Sequence, residues 1–456
     1  MKPLLFVVMP FGKKKDQTST FEIEFDSIYE KAIKPAAEEA QVDVIRADEE
    51  RSGGIIHIPM FERLLLAEIV IADLTIQNPN VYYELGIRHC SRPRSTILIF
   101  AKDSKLPFDV GMVRALPYEL DNGVLSDEGA ERLSVLLKEK LEESKKDLKT
   151  ADSPLFQVIS KFPGINLDHD VTESFRDRAK RIESIREELE EARILEDKEQ
   201  AKKDMIKIEE SLGDFNETHS ELLMDLMLSY RDIKAWDEMI NLIEKVPQEL
   251  RDLSVTINEQ YAMALNRRNQ NKDRLRATKV LDSVIKKFGA SPENCGIYGR
   301  IYKDLYDEAI KHGKEAKALG YLDQAIEWYS KGFELDPRDY YPGINAATLL
   351  FRKHGEESLK KLETILPAVV FSVARRGGIN SQDYWDVATA LEAAVLGEDW
   401  ELAVRASQKL LAIDAPGWNY ETTINNLEII EGTTVANNLE NDHLKQIINI
   451  LESENL

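Results

Sequence analysis

The chain has 456 residues and a formal net charge of −22, with 43% hydrophobic and 31% charged residues. The length suits two or three folded domains. The acidic balance argues against sequence-independent binding to nucleic acid or anionic lipid, which both need clustered Lys and Arg. Two cysteines, Cys90 and Cys295, are too few for a disulfide framework, so we expect a cytoplasmic protein. No run approaches the ~20 apolar residues of a transmembrane helix, so no membrane association is expected.

The first 145 residues alternate short apolar segments with helical patterns. We predict strands at 4–9, 42–46, 69–74, 96–101 and 116–120, and helices at 21–40, 56–67, 81–91 and 128–148. Short apolar strands that alternate with helices are typical of a parallel, doubly wound sheet with right-handed crossovers. The sequence therefore predicts an α/β domain over residues 1–145.

Two carboxylates lie at the predicted carboxyl edge of this sheet. The apolar run 69–72 ends in Asp73, and the helix after the turn at 75–80 carries Glu84. Open α/β sheets bind ligands at this edge. Carboxylates there can assist cleavage of a glycosidic bond, by electrostatic stabilisation or by transient covalent capture. We therefore predict Asp73 and Glu84 as catalytic residues.

A structural role for the same residues is the alternative. Glu84 and Arg88 have the spacing of a helical ion pair. Asp73 could cap the turn that follows it, and Asn78-Pro79 is a favourable helix start.

Residues after the first two strands extend the predicted site. Met9-Pro10-Phe11-Gly12 follows the first strand, where backbone N–H groups often face phosphates, although an ordinary β–α turn explains it equally well. Phe11 could stack on a base, and Arg46 and Asp48 could reach a ribose. No metal ligand set and no cofactor are predicted. The predicted nucleotide-binding residues are Met9, Pro10, Phe11, Gly12, Arg46, Asp48, Asn80 and Tyr83.

The rest of the chain is predicted to be helical. Residues 146–212 are a connector followed by one long, largely solvated helix over 171–212, and residues 213–456 are weakly repetitive. The segment 322–337 is similar to the second helix of a tetratricopeptide repeat, and weaker copies are anchored at Met239, Ala277 and Ala403. We predict an irregular α-solenoid of such repeats, whose concave face binds a protein partner.

The acidic loop carries a family resemblance. Its residues Ala72-Asp73-Leu-Thr75 and Asn78-Pro79-Asn80-Val-Tyr-Tyr83-Glu84-Leu-Gly86 resemble the TIR-like and nucleoside 2-deoxyribosyltransferase-like superfamily over roughly residues 3–122. The resemblance implies that Glu84 is the nucleophile or stabilises an oxocarbenium ion, and that Asp73 orients the ribose or base. Together with the helical repeats, the chain resembles the regulatory region of apoptosis signal-regulating kinases.

These features and the resemblance lead to a functional hypothesis. It describes a signalling or antiviral defence effector that binds NAD and hydrolyses its N-glycosidic bond, gated by self-assembly through the repeats. NAD would be a substrate, and the protein a homo-oligomer. One alternative is a catalytically silent scaffold that binds nucleotide or protein. The other is a nucleoside deoxyribosyltransferase.

Overall fold

Five parallel strands build the sheet of the N-terminal part of the chain. They are β1 (Leu4–Val8), β2 (Asp43–Arg46), β3 (Ile69–Asp73), β4 (Thr96–Ala101) and β5 (Ala115–Tyr118), in the order β2-β1-β3-β4-β5. This is a common strand order of doubly wound sheets. The predicted α/β class is thus confirmed. The antiparallel hairpin of Lys13–Lys14 with Ile23–Glu24 is an addition that the sequence pattern did not predict.

The structure, a computed structural model, describes most of the chain, and contacts divide it into two compact units. The first unit comprises Met1–Ala235 and Lys245–Pro247, and the second comprises Trp236–Glu244 and Gln248–Leu456. The predicted domain boundaries at 145 and 212 remain predictions. The described residues are 2–15, 22–46, 57–107, 110, 114–146, 150–159, 162, 169–213, 215, 220–437, 439 and 442–454.

The sheet is buried on both faces because successive strand residues point to opposite sides. On one face, Leu5 and Ile71 pack with α1 (Phe25–Ile28), a π-helical turn (Tyr29–Ile33), α2 (Lys34–Glu39) and α5 (Asp127–Lys146). On the other face, Phe6 and Val70 pack with α3 (His57–Leu66) and α4 (Pro79–Ser91). Helices therefore cover both faces of the sheet and hold in place the edge at which Asp73 and Glu84 were predicted to meet.

The prediction of one long helix over 171–212 is wrong. After α6 (Pro154–Val158), the chain forms α7 (His169–Ile194) and α8 (Lys198–Leu212). Asp197 separates the last two, because its side chain accepts hydrogen bonds from the backbone N–H groups of Glu199 and Gln200 as an N-cap. The unit continues with α9 (Ser220–Asp232).

The second unit is entirely helical in its described residues, which confirms the predicted all-α class. Its helices are α10 (Trp236–Lys245, which ends in the first unit), α11 (Gln248–Leu253), α12 (Val255–Arg268), α13 (Asp273–Phe288), α14 (Pro292–Lys311), α15 (Glu315–Leu335), α16 (Tyr340–Lys353), α17 (Glu356–Arg375), α18 (Tyr384–Leu396), α19 (Trp400–Leu411), α20 (Gly417–Ala436) and α21 (Asp442–Glu454).

From α12 onward, the helices follow one another as pairs joined by short connections. The first helices of neighbouring pairs also contact each other: α12 with α14, α14 with α16, α16 with α18, and α18 with α20. We refer to α12, α14, α16, α18 and α20 as the first-helix row. The four predicted repeat anchors, Met239, Ala277, Ala325 and Ala403, are all fully buried. That the pairs form a tetratricopeptide-like solenoid remains a prediction.

Small residues let α14 and α15 approach each other closely. A Cβ atom placed on Gly299 would lie 2.6 Å from the ring of Tyr329, which is itself fully buried. A Cβ on Gly332 would lie 3.0 Å from the Cβ of Cys295. Gly332 and Tyr329, both in the repeat-like segment 322–337, therefore take part in the close packing of α14 against α15.

We expect Gly299→Ala to destabilise the second unit by about 1–3 kcal/mol, because the added methyl group overlaps a buried ring that cannot move away. The matched control is Gly320→Ala in α15, where no atom lies within 4 Å of the added Cβ. There the substitution should stabilise the helix by about 0.5–1 kcal/mol. Urea unfolding followed by tryptophan fluorescence measures both, since every tryptophan belongs to the second unit: Trp236, Trp328, Trp385, Trp400 and Trp418. Equal effects of the two changes would contradict this packing.

Candidate functional site

Asp73 lies in a closed hydrogen-bond network at the carboxyl edge of the sheet. It is fully buried. Its Oδ1 accepts a hydrogen bond from the backbone N–H of Thr75 at 2.8 Å, and its Oδ2 accepts one from the hydroxyl of Tyr118 at 2.8 Å. The hydroxyls of Thr75 and Tyr118 are 2.6 Å apart, and the Thr75 hydroxyl accepts the backbone N–H of Ala101. Both carboxylate oxygens are therefore engaged within the protein.

The network joins the ends of three adjacent strands. Asp73 ends β3 and is in register with Ile99 of β4, whereas Tyr118 ends β5 and is in register with Ala101. The Tyr118 side chain thus reaches across β4 to Asp73. The alternative prediction that Asp73 caps its turn is confirmed by the bond from Thr75. Burial raises the pKa of Asp73 to about 6, although its hydrogen bonds with Thr75 and Tyr118 act in the opposite direction.

Glu84 lies on α4 and is partly buried. Among the described residues, its carboxylate makes no hydrogen bond and no ion pair. Burial alone raises its pKa to about 7. Neither Glu84 nor Asp73 contributes to the pKa shift of the other. That Asp73 and Glu84 act together as catalytic residues remains a prediction.

Arg88 does not pair with Glu84, so the alternative of a helical ion pair between them is wrong. Its guanidinium is fully buried. It donates to the backbone carbonyl groups of Leu64 and Ala67 at 2.8 and 2.9 Å, and more weakly to a hydroxyl and three further carbonyls. The weaker acceptors are the Thr96 hydroxyl and the carbonyl groups of Glu68, Arg94 and Ser95. Arg88 turns inward because the C-terminal carbonyl groups of α3 offer it acceptors that burial requires.

The side chain of Asp26 connects two of the predicted nucleotide-binding residues, Gly12 after β1 and Arg46 at the end of β2. Asp26 Oδ1 accepts the backbone N–H of Gly12 at 3.2 Å and an N–H of the Arg46 guanidinium at 2.9 Å. The Arg46 guanidinium also lies over the ring of Tyr29, 4.4 Å from its centroid. Gly12 has a φ of +62°, a backbone conformation that favours glycine.

The other predicted nucleotide-binding residues do not converge on one pocket in the described structure. Met9 and Pro10 are buried, whereas Phe11 is exposed. The Lys14 ammonium lies over the Phe11 ring, 5.2 Å from the ring centroid. Asn80 and Tyr83 are exposed on α4. Asp48 lies outside the described residues.

Sequence reasoning missed Asp26 and Tyr118. Tyr118 stands in the middle of the predicted edge strand 116–120 but ends the observed strand β5, so its place at the sheet edge was not visible in the sequence. Asp26 lies in the first turn of the observed α1, inside the predicted helix 21–40, and showed no distinguishing pattern. The N-cap role of Asn78 is confirmed, since its side chain accepts the backbone N–H of Asn80 and Pro79 is the first helical residue.

Neither a metal site nor a membrane span emerges from the described residues. No group of three or more His, Cys, Asp or Glu side chains in them is placed to hold a metal ion. None of the described helices is long and apolar enough to cross a membrane.

Comparison with known proteins identifies relatives over much of the chain. The MAP3K TRAFs-binding domain family matches residues 81–450. Mitogen-activated protein kinase kinase kinase nsy-1 of Caenorhabditis elegans is 34% identical over 263 residues, which cover 54% of this chain and 17% of that protein. Kinase kinase kinase 15 of Mus musculus is 32% identical, over 55% of this chain and 19% of that protein. The corresponding kinase 5 of Homo sapiens is 29% identical, over 54% and 18%.

The aligned region thus spans less than a fifth of the length of these curated relatives. Among solved structures, a monomeric mutant of IFIT1 with Gppp-AAAA aligns with 71% of this chain and 87% of that chain. Its sequence identity is 11% and its TM-score is 0.26, too low to establish a shared fold.

The buried carboxyl groups give a prediction about pH. Because burial raises the folded-state pKa of Asp73 from 3.8 to about 6 and that of Glu84 from 4.5 to about 7, the folded state holds their protons more tightly. The free energy of unfolding of the first unit should therefore fall as pH rises from about 4 to 7, by at most about 3 kcal/mol for each group. Asp73→Asn should remove its own part of the fall, between about pH 4 and 6, and Glu84→Gln should remove the part between about pH 4.5 and 7.

Calorimetry at a series of pH values measures this effect, and tryptophan fluorescence identifies the transition of the second unit. Asp103→Asn, at an exposed position of the first unit, is the matched control and should leave the pH profile unchanged. An unchanged profile in Asp73→Asn would show that Asp73 ionises freely in the folded protein.

The matches to the MAP3K TRAFs-binding domain family and to the kinase kinase kinases decide between the functional hypotheses. The predicted relation to the regulatory region of apoptosis signal-regulating kinases is confirmed, while the TIR-like and deoxyribosyltransferase-like part of the resemblance finds no support. The prediction of an NAD-hydrolysing antiviral defence effector is wrong, because the matched family and relatives are named for TRAF binding and for kinase signalling. The scaffold alternative agrees better with these matches. With residues 81–450 matched, the chain belongs to the MAP3K TRAFs-binding domain family.

Proposed function

We propose that this chain is a signalling scaffold that binds a protein partner, and that the partner is a TRAF protein. The match of residues 81–450 to the MAP3K TRAFs-binding domain family carries the proposal. The match extends from α4 to α21, so it includes the whole second unit apart from its last residues. A nucleotide ligand and self-association remain predictions.

The first-helix row supports a protein partner because it exposes large aromatic side chains. Tyr341 on α16 is 48% exposed and Trp418 on α20 is 53% exposed. The ring of Trp418 lies 5.7 Å from that of Trp385 on α18. Tyrosine and tryptophan are enriched at protein–protein interfaces, where their large rings contribute much of the binding energy. We infer that the partner contacts this row.

The hydrogen bonds of the sheet edge support a non-catalytic role for Asp73. A residue that stabilises developing charge on a substrate needs a free oxygen facing that substrate. Asp73 is fully buried and presents neither oxygen to an open cleft, because each oxygen already accepts a hydrogen bond, one from Thr75 and one from Tyr118. Its function in the scaffold is to hold the ends of β3, β4 and β5 together.

Binding of purified TRAF proteins to the immobilised full chain tests the proposal. We expect saturable binding by at least one TRAF protein, and an affinity that changes by less than about twofold in Glu84→Gln, because the partner contacts the first-helix row and Glu84 lies on α4, outside that row. Addition of NAD should leave the affinity unchanged, and no nicotinamide should be released. The absence of binding by every TRAF protein, or nicotinamide release that Glu84→Gln abolishes, would contradict the proposal.

A further inference from the structure

Three cations stand together on α12 and α14 of the first-helix row, although the chain as a whole carries a net charge of −22. They are Arg267, Arg300 and Lys303, and we name them the basic cluster. Asp304 on α14 accepts hydrogen bonds from the Arg300 guanidinium and from the side-chain amide of Asn266, the residue before Arg267 on α12. The three side chains therefore share one region of the second unit.

Lys303 is buried without a partner. Only 7% of the residue is exposed, and in the described part of the chain its ammonium makes no hydrogen bond and no ion pair. Burial lowers its pKa to about 8, so it remains mostly protonated at neutral pH. The Nζ atom itself is not among the fully buried atoms without a partner, so it keeps contact with solvent and a ligand can reach it. A cation on so buried a residue is normally paired.

The carboxylates around Lys303 are engaged elsewhere. Asp304 accepts from Arg300 at 3.0 Å and from the side-chain amide of Asn266 at 2.7 Å. Asp307 pairs with Arg352 at 3.0 Å. Glu392 on α18, only 6% exposed, accepts from the side-chain amide of Asn426 at 2.9 Å and lies beyond ion-pair distance of Lys303.

Arg267 is the second cation without a partner. It lies at an exposed position near the C-terminal end of α12, and no ion pair or hydrogen bond of its guanidinium occurs among the described residues. Its neighbour Arg268, in contrast, binds Asp273 at 2.8 Å and Asp237 at 3.1 Å. Acidic residues are thus abundant in this unit, yet Arg267 and Lys303 are both left unpaired.

We propose that the basic cluster binds side-chain carboxylates of an acidic segment in the protein partner. This inference rests on the proposed function and names the chemistry of the segment that docks. A guanidinium binds a carboxylate through two parallel hydrogen bonds, and Arg267 is exposed to receive one. A second carboxylate that enters beside Lys303 supplies the oxygen that its ammonium lacks. The exposed aromatic residues of the same row provide the apolar part of the contact.

Fluorescence anisotropy of a labelled hexaglutamate peptide with an amidated C-terminus tests this assignment on the full chain at low ionic strength, where charge interactions are least screened. We expect binding that Arg267→Gln and Lys303→Met each weaken by about tenfold or more. A hexaglutamine peptide of the same form should not bind. The matched controls are Arg405→Gln and Lys279→Met, at exposed positions on α19 and α13, and should change the affinity by less than about twofold.

Stability separates a binding role of Lys303 from a structural one. Because Lys303→Met replaces an unpaired buried charge by an apolar chain of similar length, urea unfolding followed by tryptophan fluorescence should show no loss of stability. A large loss would mean that Lys303 stabilises the fold through its charge, and would overturn its assignment as a binding residue.

Two further outcomes would overturn the inference. The first is that hexaglutamate does not bind the wild-type chain. The second is that the cluster variants and their controls weaken hexaglutamate binding equally. The same variants are to be measured with a TRAF protein. If that partner binds but Arg267→Gln and Lys303→Met do not weaken it, the inference fails while the proposed function stands. If no TRAF protein binds, the proposed function fails, and hexaglutamate still reports on the cluster itself.

Discussion

The α/β unit depends on the hydrogen bonds of one buried guanidinium. Arg88 is fully buried and donates to carbonyl groups at the C-terminal end of α3 and to others just before β4. The carbonyl groups at the end of α3 need such donors, since the last turn of a helix leaves its C=O groups unsatisfied, and they carry the negative end of the helix dipole. A later segment of the chain binds the same elements: Ser153 donates to the carbonyl of His89 on α4, and Asp152 accepts the N–H of Thr96 on β4. One cation thus links α3, α4 and β4.

The need of a buried polar group for hydrogen-bond partners also explains Asp73, one of the two acids that first suggested catalysis. A carboxylate at the end of a strand can bind a ligand when it faces solvent. When neighbouring hydrogen-bond donors enclose it, it stabilises the fold instead. Asp73 belongs to the second class, because Thr75 and Tyr118 occupy its oxygens. In the helical unit, Lys303 is the counterpart: a buried charge for which the described residues provide no oxygen. Asp73, whose oxygens are both satisfied, stabilises the fold, whereas Lys303 is the residue that we propose a partner carboxylate to engage.

The sequence predicted the architecture better than the site. Short continuous apolar runs located the five strands of the sheet, and repeat anchors such as Ala277 and Ala403 located buried helix positions, because burial leaves these patterns in local sequence. Side-chain direction is not local. Nothing near Arg88 in the sequence shows that it turns away from Glu84 toward α3, and the hydroxyl that reaches Asp73 comes from Tyr118, two strands away. Function was misjudged for the same reason, since the motif at 72–86 was interpreted without its hydrogen-bond partners.

The central claim is that the helical unit binds the partner while the sheet edge serves the fold. Hydrogen exchange of the full chain, with and without a bound TRAF protein, tests this most directly because it maps protection along the sequence. Protection is expected in α12, α14 and α16 around Arg267 and Lys303, with no change in α4 around Glu84. Protection confined to α4 and the loops that follow β1 and β3, with the first-helix row unchanged, would contradict the account.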